Sequence, residues 1–245
     1  MILLTFELVF LCEKAYNVVM LRKSIQDLSI REFFSNYKKL QYKNKELIIR
    51  ADDIPQGIYY LKKGYVRKFL ITKDGQELTV NIIHPGSFFP KSWAIIDIPN
   101  TYFFEAMTEV VVFRSPRQDF LKYIKKDVGV LHAVNKIVLT ELNVMLLRLQ
   151  FIVLGNATQR VASVLIMLGY RFGNETKKGS FASSFPATQQ QIATMAALTR
   201  ESVGYELKKM RNEGLVEYQH RVCTIVELNK LKKKSLIDGE IRNLP

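Results

Sequence analysis

The spacing of apolar positions changes character twice along the chain. From Tyr37 to Ser115, short apolar or β-branched runs alternate with turn signals, at 47–50, 58–61, 66–72, 77–83, 102–107 and 109–114. The breaks are Asp52-Asp53, Lys63-Gly64, Lys73-Asp74-Gly75, Pro85-Gly86 and Pro99-Asn100. Asp-Gly between two such runs is a hairpin signal, because Gly accepts φ > 0. Turns about 8–12 residues apart predict a small antiparallel sandwich or barrel over 37–127. After Pro116 the period lengthens. A short helix is expected at 118–123, then a long one over 128–154. Its apolar positions Leu131, Val134, Val138, Leu142, Met145, Leu149 and Ile152 are spaced 3, 4, 4, 3, 4 and 3. That is an a/d seam held for about three heptads. One protomer's sheet covers only part of a helix about 40 Å long. The seam therefore predicts a homodimer helix, with the long core helix of one domain as the alternative.

Gly155-Asn156 breaks this helix. A further helix is expected at 158–172, then a polar, Gly-bearing loop at 173–184. Thr188 followed by Gln191 forms a capping box that opens a helix over 189–196. After Ala197-Leu198, Thr199 caps a second helix over 200–212, with Val203, Leu207 and Met210 facing inward and Gly214 stopping it. Two strands, 215–219 and 222–227, flank a His220-Arg221 turn. Helix, tight turn, helix and hairpin make a winged helix-turn-helix within 155–245. Near the start of the second helix stand Arg200, Glu201, Ser202 and Tyr205, the positions that reach base edges in a major groove. Arg matches guanine O6/N7 with two donors, and Glu accepts from cytosine N4. Thr188, Gln189, Thr199 and Lys208, with the helix N-terminal amides, suit phosphates. A solvated Arg200–Glu201 pair on a protein-binding winged helix is the alternative.

Composition adds less. Lys+Arg number 36 against 23 Asp+Glu in 245 residues, a net charge of +13. Such a charge points to a polyanion in general. From residue 156 onward 14 Lys/Arg face 8 Asp/Glu, net +6, so the excess is spread over both halves. The apolar content of 48% excludes a disordered chain. Two cysteines, Cys12 and Cys223, exclude a disulfide scaffold and read as incidental thiols in a reducing cytoplasm. The apolar start, residues 1–11, has no basic residue before Lys14 and is too short to span a bilayer, so neither a signal peptide nor a membrane partner is expected. It reads as a helix, or as an untranslated leader before Met20. Asn156-Ala-Thr and Asn174-Glu-Thr match a glycosylation pattern that a cytoplasmic chain does not use. The run Lys230-Leu-Lys-Lys-Lys reads as a solvated end, with non-specific phosphate contacts as the alternative. No GxSxG, P-loop, HExxH or GxGxxG occurs, and His84, His132 and His220 lie scattered, so no enzyme is expected.

The stretch from Gln191 to Met210, with its Thr-Arg-Glu-Ser-Val opening to the second helix, resembles the helix-turn-helix of the Crp/Fnr regulators. The order of parts matches from about residue 37 to 228. The resemblance implies an α+β chain: an N-terminal antiparallel β-roll, cupin-like; a long dimerisation helix; and a C-terminal winged helix-turn-helix. It implies double-stranded DNA as partner, a homodimer on a palindromic site, and RNA polymerase as a further partner of an activator. In cyclic-AMP-binding members, a Phe-Gly-Glu segment and a later Arg-Ser/Thr pair hold the nucleotide. Here the matching stretch is Ser87-Phe88-Phe89-Pro90-Lys91, so Pro90 and Lys91 replace Gly and Glu. The Arg position falls near Asn100-Thr101-Tyr102, and the Thr-Ser pair of the dimer helix falls on Met145-Leu146. Binding of cyclic AMP in the usual mode is therefore not expected. An iron–sulfur cluster would need more cysteines, and haem would need axial ligands, where His84 at a turn reads as structural. The remaining effector-pocket candidates are Phe88, Phe89, Lys91, Trp93, Tyr102, Phe103, Phe104 and Met145. They either line a site for an apolar or aromatic effector, with any acid group paired to Lys91, or simply fill the roll.

Overall fold

The computed structural model describes residues 25–175, 181–186, 188–219 and 222–237. Cys12, the apolar start with Met20 and the His220-Arg221 turn lie outside the described residues. The described chain divides into two compact units, and the division falls between Leu139 and Thr140, inside the long helix.

The first unit is built on eight strands: β1 (Lys38–Tyr42), β2 (Leu47–Ile49), β3 (Ile58–Lys63), β4 (Val66–Ile71), β5 (Glu77–Ile83), β6 (Phe88–Phe89), β7 (Phe103–Ala106) and β8 (Val110–Ser115). They form two antiparallel four-stranded sheets, in the orders β1-β8-β3-β6 and β2-β7-β4-β5. The Asp74-Gly75 hairpin forms as expected, with Gly75 at φ +76° and its N–H donating to Thr72 O at 2.9 Å.

Strand β3 explains why its run is apolar without alternation. Successive side chains point to opposite faces. Tyr59 and Leu61 enter the core between the sheets, with Ile49, Val66, Phe104 and Val112. Ile58 and Tyr60 enter a second core on the other face. That second core is roofed by α1 (Ile25–Ser35), α3 (Arg117–Lys126) and the start of α4 (Val128–Leu154), with the short α2 (Lys91–Ile96) alongside. Helix α1 had no counterpart in the expected elements. Ile30 and Phe34 from it are fully buried, so the first unit begins before residue 37.

Helix α4 has the expected bounds but does two jobs. Its first half gives Val130, Ala133 and Val134 to the second core, with Ile137 packed against it. Val134 therefore leaves the expected seam: it is 2% exposed because its own chain covers it. The opposite face is uncovered. Leu131, Val138, Leu139, Leu142, Met145, Leu146, Leu149 and Val153 range from 36% (Val138) to 65% (Val153) exposed. The stripe is wider than the predicted a/d line and passes through it, with Ile152 half-buried at its flank.

The second unit continues with α5 (Ala157–Phe172), α6 (Gln189–Ala196), α7 (Arg200–Asn212) and α8 (Leu228–Lys233). Asn156 caps α5: its Oδ1 accepts from Gln159 N at 3.0 Å, while Gln159 Oε1 accepts from Asn156 N at 2.9 Å. Val161, Val164, Leu165 and Leu168 on α5 are buried. The wing strands β11 (Val216–Gln219) and β12 (Val222–Ile225) pair as expected. The expected loop after α5 is instead partly strand. Its β9 (Gly173–Glu175) and β10 (Phe181–Pro186) extend the wing into a sheet of order β11-β12-β10-β9. The Lys-rich end is also more than a solvated tail, because Leu231 and Leu236 beside it are buried.

Phe120 sits at the centre of the second core, with ring centroids 5.0 Å from Phe88 and 5.6 Å from Phe34. Phe120→Ala is expected to lower stability by about 3–5 kcal/mol in urea unfolding. A loss under about 1 kcal/mol would contradict this packing.

Candidate nucleic-acid interface

The helix-turn-helix is assembled by caps. Thr188 Oγ1 accepts from Gln191 N at 3.1 Å, and Gln191 Oε1 accepts from Thr188 N at 2.9 Å. This is the capping box read from the sequence. The turn that follows places Ala197 in the left-handed region at φ +53°, where its N–H donates to Ala193 O. Thr199 then caps α7, accepting from Ser202 N at 3.2 Å. The inward face of α7 carries Val203, Leu207 and Met210, all buried as expected.

The outward face leaves Arg200, Glu201, Tyr205 and Lys208 exposed. Tyr205 is 70% exposed, which is high for so large a ring. Gln189 lies over Gly204: a Cβ there would stand 3.5 Å from Gln189 Oε1. Ser202 also takes part in the cap. Its hydroxyl is 3.0 Å from the Thr199 hydroxyl. The Thr188 and Thr199 hydroxyl oxygens accept from helix amides.

Two charged residues inside this unit were not singled out from the sequence. Glu206 on α7 is 7% exposed and its Oε2 accepts from Thr158 Oγ1 at 2.8 Å. Arg148 on α4 is 9% exposed, and its guanidinium donates to Met195 O at 3.0 Å and Thr194 O at 3.3 Å. Both stood among apolar neighbours that made the helices legible, and a one-dimensional pattern does not show a buried carbonyl.

The effector-pocket candidates do not converge. Phe88 and Phe89 are adjacent on β6 and so face opposite ways. Phe88 joins the core under α1 and α3, with Trp93 packed against it. Phe89 and Phe104 stack in the core between the sheets, with Tyr102 at its edge and ring centroids 5.1 Å apart for the first pair. Phe103 stacks on Phe69 instead, at 5.2 Å. Lys91 Nζ donates to Phe88 O at 2.7 Å. Met145 lies on the exposed stripe of α4, in the second unit. Asn100 is buried, and its side-chain amide donates to Arg50 O at 3.0 Å and Tyr102 O at 2.8 Å, which clasps two loops. His84 Nδ1 lies 2.8 Å from Pro85 O. Burial pushes the Cys223 thiol up to about 12, so it stays protonated at neutral pH.

A β-roll followed by a long helix and a capped helix-turn-helix with an exposed reading face defines a DNA-binding transcription regulator. The comparisons carry this to a family. The model of the cyclic nucleotide-binding domain matches residues 39–127, and that of the Crp-like helix-turn-helix domain matches 159–234. The chain is 28% identical over 193 residues to the transcriptional activatory protein AadR of Rhodopseudomonas palustris, covering 76% of each. It is 25% identical over 196 residues to the transcriptional regulator LdrP of Thermus thermophilus, covering 80% of this chain and 95% of that one. The structure of FixK2 from Bradyrhizobium japonicum superposes with a TM-score of 0.70 at 21% identity, covering 81% and 96%. The chain belongs to the Crp/Fnr family of transcription regulators.

Ala197 holds a left-handed conformation that costs a Cβ-bearing residue about 1–2 kcal/mol. Ala197→Gly is therefore expected to keep DNA binding and raise stability by up to about 1 kcal/mol, while Ala197→Val lowers it by a similar amount. Thermal unfolding of both variants checks the sign, and a destabilised glycine variant would contradict the strained turn.

Proposed function

We propose that the protein is a cytoplasmic, non-enzymatic regulator that binds a palindromic DNA site as a homodimer and does not use cyclic AMP in the usual family mode. The observation that carries this reading is the outward face of α7, where Arg200, Glu201 and Tyr205 stand exposed on a helix locked from its inner side. Arg200 reads guanine and Glu201 reads cytosine. Tyr205 lies one helical turn beyond Glu201. A phenol has one O–H and an apolar ring, which fits thymine, whose O4 and methyl group lie side by side in the major groove.

The exposed stripe on α4 supports the dimer. This helix is long and apolar enough to cross a membrane by length and composition. Its opposite face, however, is packed into protein, with Ala133 and Val134 in one core and Arg148 on the carbonyls of α6. A helix that spans lipid is apolar all round, whereas this one is apolar outward on a single stripe. A second copy of the same stripe is the occupant that satisfies it. Against cyclic AMP stand Lys91 in place of an acid, Pro90 in place of Gly, and Asn100 already engaged between two loops. If the protein activates transcription, RNA polymerase is its further partner.

Selection of sites from random DNA tests the reading. Two inverted half-sites about one helical turn apart are expected. Arg200→Ala should weaken binding by about 1–3 kcal/mol at its cognate guanine. Tyr205→Ala should lose the thymine preference and keep the other two positions. Recovery of no preferred sequence would sink the proposal. Leu142→Glu with Leu149→Glu should convert the dimer to monomer in analytical ultracentrifugation and abolish binding to the paired site. A double variant that remains dimeric would exclude the stripe as the interface.

A further inference from the structure

We infer that Arg148 is a positioning residue: it fixes the angle between the outer stripe of α4 and the recognition helix, and so sets the half-site spacing that the dimer accepts. The inference rests on the dimeric reading above.

Arg148 precedes Leu149 of the stripe by one residue but turns inward, and only 9% of it is exposed. Its partners are carbonyls of the last turn of α6, Thr194 O and Met195 O. Carbonyls in that turn lack partners within the helix and carry the negative end of its dipole. The guanidinium is planar and offers its donors in a fixed fork. Two bonds from one fork hold α6 against rotation as well as translation. Burial lowers the Arg148 pKa to about 10, so the side chain keeps its charge at neutral pH. A buried guanidinium is an expensive way to fill space, since an apolar side chain of similar volume would carry no desolvation cost.

The junction below makes such a tie necessary. Helices α4 and α5 are separated only by Gly155-Asn156. A Cβ on Gly155 would stand 2.5 Å from Phe151 O, and Arg160 Nε donates to Gly155 O at 2.8 Å. This pivot holds one point of the DNA-binding unit. Arg148 lies seven residues earlier, about 10 Å along the helix axis, and supplies the second point. From α6 the orientation passes to α7 through the turn at Ala197.

The test is selection from a library of two fixed half-sites separated by spacers of varied length, with wild type, Arg148→Met and Arg148→Lys. Thermal unfolding is measured in parallel. Wild type is expected to enrich one spacer sharply. Arg148→Met should keep the base preference within each half-site while the ratio of best to neighbouring spacer falls about tenfold, as expected for loss of a charged hydrogen-bond pair. Arg148→Lys keeps the charge without the fork and should fall between the two. If Arg148→Met unfolds, the lysine variant decides alone. A variant that melts lower but keeps the wild-type spacer profile overturns the inference and leaves Arg148 a purely stabilising residue. A wild type that enriches half-sites singly overturns the dimeric reading instead, and that outcome is distinct from the first.

Discussion

The apolar faces of helix α4 must be covered, and one chain covers only part of them. Its first half closes the core beneath α1 and α3 through Val130, Ala133 and Val134. Its second half supports the helical unit through Phe151, which is fully buried, and Arg148. What is left over is a stripe from Leu131 to Val153. The same helix is thus a wall of the β-roll, a mount for the DNA-binding unit and, in the proposed dimer, the interface. A single heptad-like pattern serves all three because 3.6-residue periodicity separates the faces. Leu142 and Leu149 face out, while Ala133 and Phe151 face in.

The β-roll shows how the two-fold period of a strand constrains a site. Strand β6 and the first four residues of β3 are buried on both faces, so neighbouring aromatics serve different cores. Phe88 and Phe89 look like one aromatic patch in sequence and become parts of two. Lys91 and Asn100 of the roll make internal bonds. Lys91 donates to the carbonyl of Phe88, and Asn100 ties the 50–52 and 100–102 loops. The roll has the strand framework of the cyclic nucleotide-binding domain, and these side chains hold its own loops.

Legibility followed the source of the signal. Side-chain period and caps marked most strands of the roll, the bounds of α4, α6 and α7, and the candidate reading residues. Elements held by other means were missed. Strand β9 is Gly-Asn-Glu and β10 is Phe-Ala-Ser-Ser-Phe-Pro, neither with a strand's alternation, and their pairing is a backbone ladder that side-chain pattern does not encode. Helix α1 is short, and its burial depends on Phe120 and Tyr60, far along the chain. Val134 fitted the seam in spacing because an a/d position and the adjoining inward face differ by a fraction of a turn. Only the roll's packing decides which it joins.

Charge gains meaning here from direction rather than from sum. The net +13 accounts for general attraction to DNA. Reading a sequence needs side chains held in fixed places, and that is the work of charges that point inward. Glu206 accepts from Thr158, the second residue of α5, where the positive end of the helix dipole favours an anion. Arg148 donates to the last carbonyls of α6, where the negative end favours a cation. Each is paired with the helix end of opposite sign, and each is nearly buried, where water screens little. Arg200 and Glu201 face the other way, free of such ties and open to solvent. A recognition helix gripped by buried polar bonds on one side can present its outer residues at a constant depth and angle. In the proposed reading, discrimination between bases rests on a few positions of α7, while the remaining cations supply salt-sensitive attraction common to all sequences.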